Sequence, residues 1–294
     1  MKNNGKIKAH FAASFCIIVW SITFISTKIL LEDFTPTEIL FFRFILAYIM
    51  LFFLSPRLLI PKEIKEELLF ALAGLCGVTI YFLFQNIGLT YTLAANAGVL
   101  VSVAPMFTAI IAHFLVPGVK LQMNFIIGFI MAVTGIFLIN FNGSFLLQLN
   151  PLGDILIILA ALAWAFYCNL LISVNKKGYG LIESTRKIFF YGLVFMIPAL
   201  LFMDFEWNLS RFTDSLNLLN TLFLGIVASG LCFLTWNYAV GVLGSVKTSI
   251  YLYLIPIVTI IFSALILHEP ITLICLAGTA LILAGLAISE KKAR

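Results

Sequence analysis

Long apolar stretches recur along the chain at about 9–31, 36–55, 67–91, 94–116, 122–141, 151–173, 187–203, 217–243, 246–267 and 270–289. They are apolar on all sides rather than amphipathic, which suits helices surrounded by lipid. A membrane barrel strand would need only about ten residues of alternating polarity, so strands are not expected. Ten runs of roughly 20 residues predict ten spanning helices, spans 1 to 10. The first run follows Lys2, Lys6 and Lys8, as a signal peptide would, but it is long and no A-x-A site closes it. It is read as span 1. Thr35-Pro36-Thr37-Glu38 forms a capping box with proline in the first turn of span 2. Asn150-Pro151 before span 6 and Glu269-Pro270 before span 10 repeat the cap-then-proline order.

Composition removes the soluble alternatives. Of the 294 residues 62% are apolar and 11% charged, whereas a soluble domain has about 45–50% and 25%. The net charge of +5 says little about nucleic acid, and no nucleic-acid partner is expected; its placement matters more. With the N-terminus in the cytoplasm, 15 of the 18 Lys and Arg residues fall in inner segments and only Arg211 in an outer loop. The positive-inside rule then puts both termini in the cytoplasm, which requires an even number of spans. Cys16, Cys76, Cys168, Cys232 and Cys275 lie apart inside apolar runs, without ligand spacing. They are expected to act as small apolar residues, and neither a metal nor a cofactor is expected.

The chain also repeats. Gln85-Asn86-Ile87-Gly88 aligns with Trp236-Asn237-Tyr238-Ala239 at an offset of 151, which also pairs Gly74 with Gly225 and Pro105 with Pro256. Gly128 and Gly135 of span 5 match Gly278 and Gly285 of span 10. Trp20 matches Trp164, and Glu38 matches Glu183. The shared order is the signal. Five spans per repeat is an odd number, so the second half should enter the membrane from the opposite face. The expectation is an all-α integral membrane protein of two inverted five-helix repeats, 1–145 and 146–294, with its site near the midplane where the repeats meet.

Asn237 to Ser245, Tyr251-Leu252-Tyr253-Leu254-Ile255-Pro256 and Leu265-Ile266-Leu267-His268-Glu269-Pro270, with Gly88 to Ala95 and Val103-Ala104-Pro105 in the first half, resemble the signature of the EamA family in the drug/metabolite transporter superfamily. The resemblance covers nearly the whole chain. It departs at Pro117-Gly118-Val119-Lys120, where the family usually carries a Gly-Glu pair. The resemblance implies secondary export of small metabolites, often amino acids, across a bacterial cytoplasmic membrane. It also implies a cavity lined by spans 1, 3, 4, 6, 8 and 9.

Several residues could carry transport. Lys28 precedes Glu32 by four residues and reads as a snorkelling lysine with an acidic neighbour. Arg43 lies seven residues past Pro36, about 10 Å into span 2. It either pairs with Glu38 or backbone carbonyls, or faces the cavity and forks onto a substrate carboxylate. Asn86 and Asn237 are either interhelical glue or polar elements of two alternating gates. Trp20 and Trp164 sit mid-span, away from the interfaces where tryptophan collects. With Tyr81, Tyr167, Trp236, Tyr251 and Tyr253 they either pack or line the cavity. Pro105 and Pro256, mid-span, each remove a backbone hydrogen bond and are either tolerated kinks or hinges. Lys247 anchors span 9 at the cytoplasmic face, or meets an anion there. The glycines of spans 5 and 10 permit close approach to a neighbour, and a homodimer through these spans is one expectation.

An enzyme would need a nucleophile and base or metal ligands; no HExxH occurs, and His10, His113 and His268 are dispersed. A sensor or scaffold would carry an output domain, yet the longest loop has only about 13 residues. A small-multidrug-type cation exchanger would want an acid in span 1, which has none from Phe11 to Leu31. An organic-anion, sugar-phosphate or nucleotide-sugar exchanger would want several cavity bases, and only Lys28, Arg43 and Lys247 could serve. Neutral, zwitterionic or carboxylate-bearing metabolites fit best.

Overall fold

The computed structural model describes residues 2–92, 94–116, 118–120, 122–140, 151–258 and 273–290. Among them the secondary structure is helical throughout. In chain order the helices are α1 (Lys2–Leu30), α2 (Pro36–Leu54), α3 (Ile64–Tyr91), α4 (Ala94–Val101), α5 (Ala104–Leu115), α6 (Met123–Asn140), α7 (Pro151–Lys176), α8 (Leu181–Phe202), α9 (Ser215–Leu243), α10 (Ser245–Val258) and α11 (Leu273–Glu290). Six of them, α1, α2, α3, α7, α8 and α9, are long and apolar enough to cross a membrane; four shorter apolar helices accompany them. The 141–150 connection with Asn150, Pro117, the end of span 9 from 259, His268-Glu269-Pro270 and the C-terminal Lys291, Lys292 and Arg294 lie outside the described residues.

Local chemistry explains the starts. Thr35 N–H donates to Glu38 Oε2 at 2.7 Å and the Thr35 hydroxyl accepts from Glu38 N–H at 3.3 Å, so the expected capping box is formed. Phe11, Phe53, Phe114 and Phe202 stand 73–87% exposed, a surface that suits lipid. Cys16, Cys168 and Cys232 are buried, Cys76 is half-buried, and all four are free thiols.

Three departures from regular helix were not expected. The run at 94–116 breaks at Ser102 and Val103 into α4 and α5, and Pro105 sits in the first turn of α5. Pro105 therefore starts a helix instead of kinking one. The second half does the same by other means: α10 winds as a 3-10 helix over Ile250–Leu254 just before Pro256. Third, α3 and α9 each contain a wide π turn, at Leu75–Ile80 and Phe223–Leu231. Such turns are rare and concentrate at functional sites.

The halves interlock. α1 packs on α9, α2 on α8 and α9, α3 on α7 and α8, and α5 on α7. Glycines let the wide turns approach their neighbours. A Cβ on Gly74 would strike the α8 backbone at Ile188 and Gly192, one on Gly77 would strike the Tyr167 ring, and one on Gly225 would strike Leu46 of α2. α6 and α11 lie face to face along their glycines, where a Cβ on Gly128 would meet Gly285 and Ser289, and one on Gly135 would meet Gly278. The neighbour that these glycines approach is thus the other helix of the same chain.

Candidate functional site

A small cavity lies between the halves. Its walls come from α1 (Trp20, Thr23, Phe24), α2 (Arg43), α3 (Tyr81, Phe82, Gln85), α4 (Val101), α7 (Trp164) and α10 (Leu252, Ile255). Only about 20 Å³ is open to the centre of a water-sized sphere, room for about one water. The cavity is closed to a metabolite in this conformation. Of the spans that the resemblance implied, 1, 3, 4, 6 and 9 line it; span 2 joins the wall through Arg43, while α9, the helix of span 8, stands one ring behind.

The wall is an aromatic cluster. Trp20 and Trp164 meet edge to face with ring centres 5.3 Å apart, Tyr81 lies 4.9 Å from Trp164, and Trp236 lies 5.0 Å from Trp20. These spacings suit interlocking π systems. Trp20 Nε1–H donates to the Ala228 carbonyl inside the wide turn of α9 at 3.0 Å. Trp164 Nε1, buried at the cavity, has no partner.

Arg43 is 1% exposed. Its Nε–H donates to the Ser229 hydroxyl at 2.9 Å, and its guanidinium lies 4.2 Å from the centre of the Phe82 ring. Nη1 has no partner. Glu38 does not pair with it: that carboxylate binds Arg211 at 2.7 Å and accepts from Glu206 N–H at 2.8 Å. Among the described residues no acidic side chain lines the cavity. A buried guanidinium with one nitrogen unpaired and no counter-ion among the described residues is a strong anchor for a carboxylate.

The other expected residues fall in different places. Tyr167 O–H donates to Asn237 Oδ1 at 2.7 Å, and Asn237 Nδ2–H donates to the Thr185 hydroxyl at 3.0 Å, so both belong to a buried tie between α7, α9 and α8 behind the wall. Asn86 Nδ2–H donates to the Pro36 carbonyl at 3.1 Å while Oδ1 stays unpaired; it joins α3 to α2 away from the cavity. Tyr251 O–H meets His10 Nδ1 at 2.5 Å. Tyr253 is buried between α5, α6 and α11 with Ala109, Phe125 and Ile282, its hydroxyl unpaired. Pro256 follows Ile255, a wall residue whose carbonyl accepts from the Ser21 hydroxyl at 3.5 Å. Lys28 corrects its expected pairing with Glu32: Nζ donates to the Leu89 and Thr92 carbonyls at 2.6 and 3.2 Å, completing the C-terminus of α3 where a cation is favoured.

Sequence reasoning missed Thr23, Phe24, Phe82, Gln85 and Ser229. Gln85 had a signal, since it adjoins Asn86, but neighbouring helix residues point about 100° apart, and only Gln85 faces the cavity.

Polar latches close the two ends of α2. At its start Arg211, in the α8–α9 connection, binds Glu38 and the Asp33 carbonyl. At its end Glu183 of α8 accepts from the Ser55 hydroxyl at 2.6 Å, and Arg186 donates to the Ser55 and Arg57 carbonyls. Nearby, Glu66 accepts from Tyr179 O–H and pairs with Lys177 at 3.0 Å. These contacts raise the phenol and the ammonium above their ordinary pKa values and keep both protonated.

A family model described as the EamA-like transporter family matches residues 7–141 and again 151–290. The chain belongs to this family. Among its relatives, an uncharacterized transporter of Archaeoglobus fulgidus is 29% identical over 289 residues, covering 97% of this chain and 98% of the relative. A probable terminal-alkyne amino-acid exporter of Streptantibioticus cattleyicolor is 23% identical, covering 97% and 94%. The uncharacterized transporter YoaV of Bacillus subtilis is 23% identical over 92% of both chains. A solved crystal structure superimposes with a TM-score of 0.73 at 16% identity, covering 99% of this chain and 97% of the other, a likeness of fold. As an EamA-like transporter the chain is a multi-pass membrane protein.

Proposed function

We propose that the protein carries a small carboxylate-bearing metabolite, such as an amino acid or related compound, across a bacterial cytoplasmic membrane by alternating access. The observation that carries this reading is Arg43: a buried guanidinium in the cavity wall, with Nη1 unpaired and, among the described residues, no acidic partner. Arg43 would take the carboxylate, and Trp20, Trp164 and Tyr81 would enclose the rest. An ammonium group, if present, would meet aromatic faces and Gln85. A substrate with several phosphates fits less well, because among the described residues one guanidinium is the only base in the wall.

The proposed architecture is ten spans in two inverted repeats with cytoplasmic termini. The family model's two matches support it, as do the paired wide turns in α3 and α9 and the placement of lysines and arginines. The latches at opposite ends of α2 suit a molecule whose two faces open in turn. A second copy would have to use the outward faces of α6 and α11, since their glycine faces meet each other.

The test is a screen of radiolabelled carboxylates and amino acids with purified protein in liposomes, repeated with Arg43→Gln. The expected result is uptake of a carboxylate-bearing compound that falls at least tenfold in the variant. Unchanged uptake by a folded Arg43→Gln protein would remove Arg43 from the site.

A further inference from the structure

A second, larger cleft, of about 450 Å³, opens away from the central cavity between α5, α6, α7, α10 and α11. Its polar edge is Lys120 in the α5–α6 connection, Lys176 at the end of α7 and Lys247 in the first turn of α10, all three exposed. Its walls are apolar, with Val116, Phe125, Ile172 and Leu243 prominent, and among the described residues no acid lines it. The acids that hold cations nearby are taken elsewhere, Glu66 by Lys177 and Glu67 by Lys187. Lys120 and Lys176 form no ion pair among the described residues.

The floor of the cleft is rigid. Gly244 turns the chain with φ 90°, a conformation that favours glycine. Ser245 O–H then donates to Asn169 Oδ1 at 2.8 Å, and Asn169 Nδ2–H donates to the Thr108 carbonyl at 3.1 Å. These bonds tie α10, α7 and α5 together beneath the lysines. The level in the membrane also follows from the helices. α5 ends at Leu115 and α7 at Lys176, so the cleft lies where apolar helices give way to water. Phe114 and Leu115, 78% and 55% exposed, adjoin Val116 of the wall and extend the apolar surface toward lipid.

Three cations, an apolar wall reaching the bilayer and, among the described residues, no acid match one kind of molecule, an anion that carries hydrocarbon. We propose that this cleft binds an anionic phospholipid, its phosphate among Lys120, Lys176 and Lys247 and one acyl chain along the apolar wall. Basic pockets between membrane helices hold lipid headgroups in this way. A soluble phosphate would gain less, because lysines are flexible, strongly hydrated point charges with no rigid fork. The proposal rests on the membrane setting and not on Arg43, so either reading can fail without the other.

The test titrates full-length protein in neutral detergent with phosphatidylglycerol, phosphatidylcholine or glycerol 3-phosphate, and reads bound molecules by native mass spectrometry. Lys120→Gln/Lys176→Gln is expected to weaken phosphatidylglycerol binding about 30-fold, roughly fivefold per lysine. Lys120→Arg/Lys176→Arg should retain it, and Lys8→Gln/Lys65→Gln, outside the cleft, should change it less than twofold. Equal weakening by the cleft and comparison variants would overturn the proposal in favour of diffuse surface charge. Equal binding of phosphatidylcholine would leave only an apolar groove, and displacement of the lipid by glycerol 3-phosphate would mean a soluble-anion site; both also overturn it.

Discussion

Replacing Arg43 by methionine distinguishes a structural strut from a binding group. Among the described residues the guanidinium has one hydrogen bond, to Ser229 at 2.9 Å, and two ring contacts, Phe82 at 4.2 Å and the more distant Phe44 at 5.5 Å. A hydrogen bond to a charged group contributes about 1.5–3 kcal/mol, and a desolvated cation–π contact about 2 kcal/mol. Against these stands the removal of the charge from water, several kcal/mol even after relaxation. The unpaired Nη1 adds about 1–3 kcal/mol to that side. The balance is near zero or unfavourable to folding. Methionine keeps a long side chain without the charge. Arg43→Met is therefore expected to melt no lower than about 1 kcal/mol below the parent, about 2–4 °C, while losing carboxylate binding. The assay is thermal melting in detergent beside equilibrium binding of the best carboxylate from the liposome screen. Removing one member of a buried ion pair typically costs about 3–5 kcal/mol. A fall of that size in melting stability, with carboxylate binding intact, would refute the reasoning.

Gly128→Ala should cost about 1–3 kcal/mol, because the new methyl meets the Gly285 carbonyl on a neighbouring backbone; Gly98→Ala, with open space around its Cβ, should be neutral, and equal melting shifts would contradict the packing of α6 on α11. Surface labelling of single-cysteine variants at positions 4 and 150 should find them on opposite sides of the bilayer; the same side would end the inverted-repeat proposal. Proteoliposomes with an imposed pH gradient should equilibrate substrate without concentrating it, since no carboxylate lines the described cavity to relay protons. Sustained uphill accumulation would show a proton site.

The six long helices α1, α2, α3, α7, α8 and α9 were legible because their apolar runs are long enough to be read alone. The Thr35 capping box was legible because it is a contact within four residues. Trp20, Tyr81 and Trp164 could be chosen because large aromatics away from the membrane interface need a reason to be there. The rest depends on how helices face one another, which hydropathy does not encode. Thus Glu38 could not be assigned to Arg211, 173 positions away, in preference to Arg43. Lys28 sits near Glu32 in sequence, yet its ammonium finds the carbonyls at the end of α3. The wide turns of α3 and α9 carry no local residue signature, and Pro105 alone does not say whether it kinks a helix or starts one.

A wide turn has an unusual property: it can relocate. Its i+5 backbone pairs revert to i+4 on one side as new ones open on the other, so one surplus residue travels along the rod while both ends stay fixed. Each residue passed over is swivelled by about 100°. Tyr81, Phe82 and Gln85 lie just beyond the wide turn of α3, and Ser229, the hydroxyl holding Arg43, lies inside that of α9. A shift of either turn would rotate the lining of the chamber like a tumbler in a lock, releasing the guanidinium without tilting a helix.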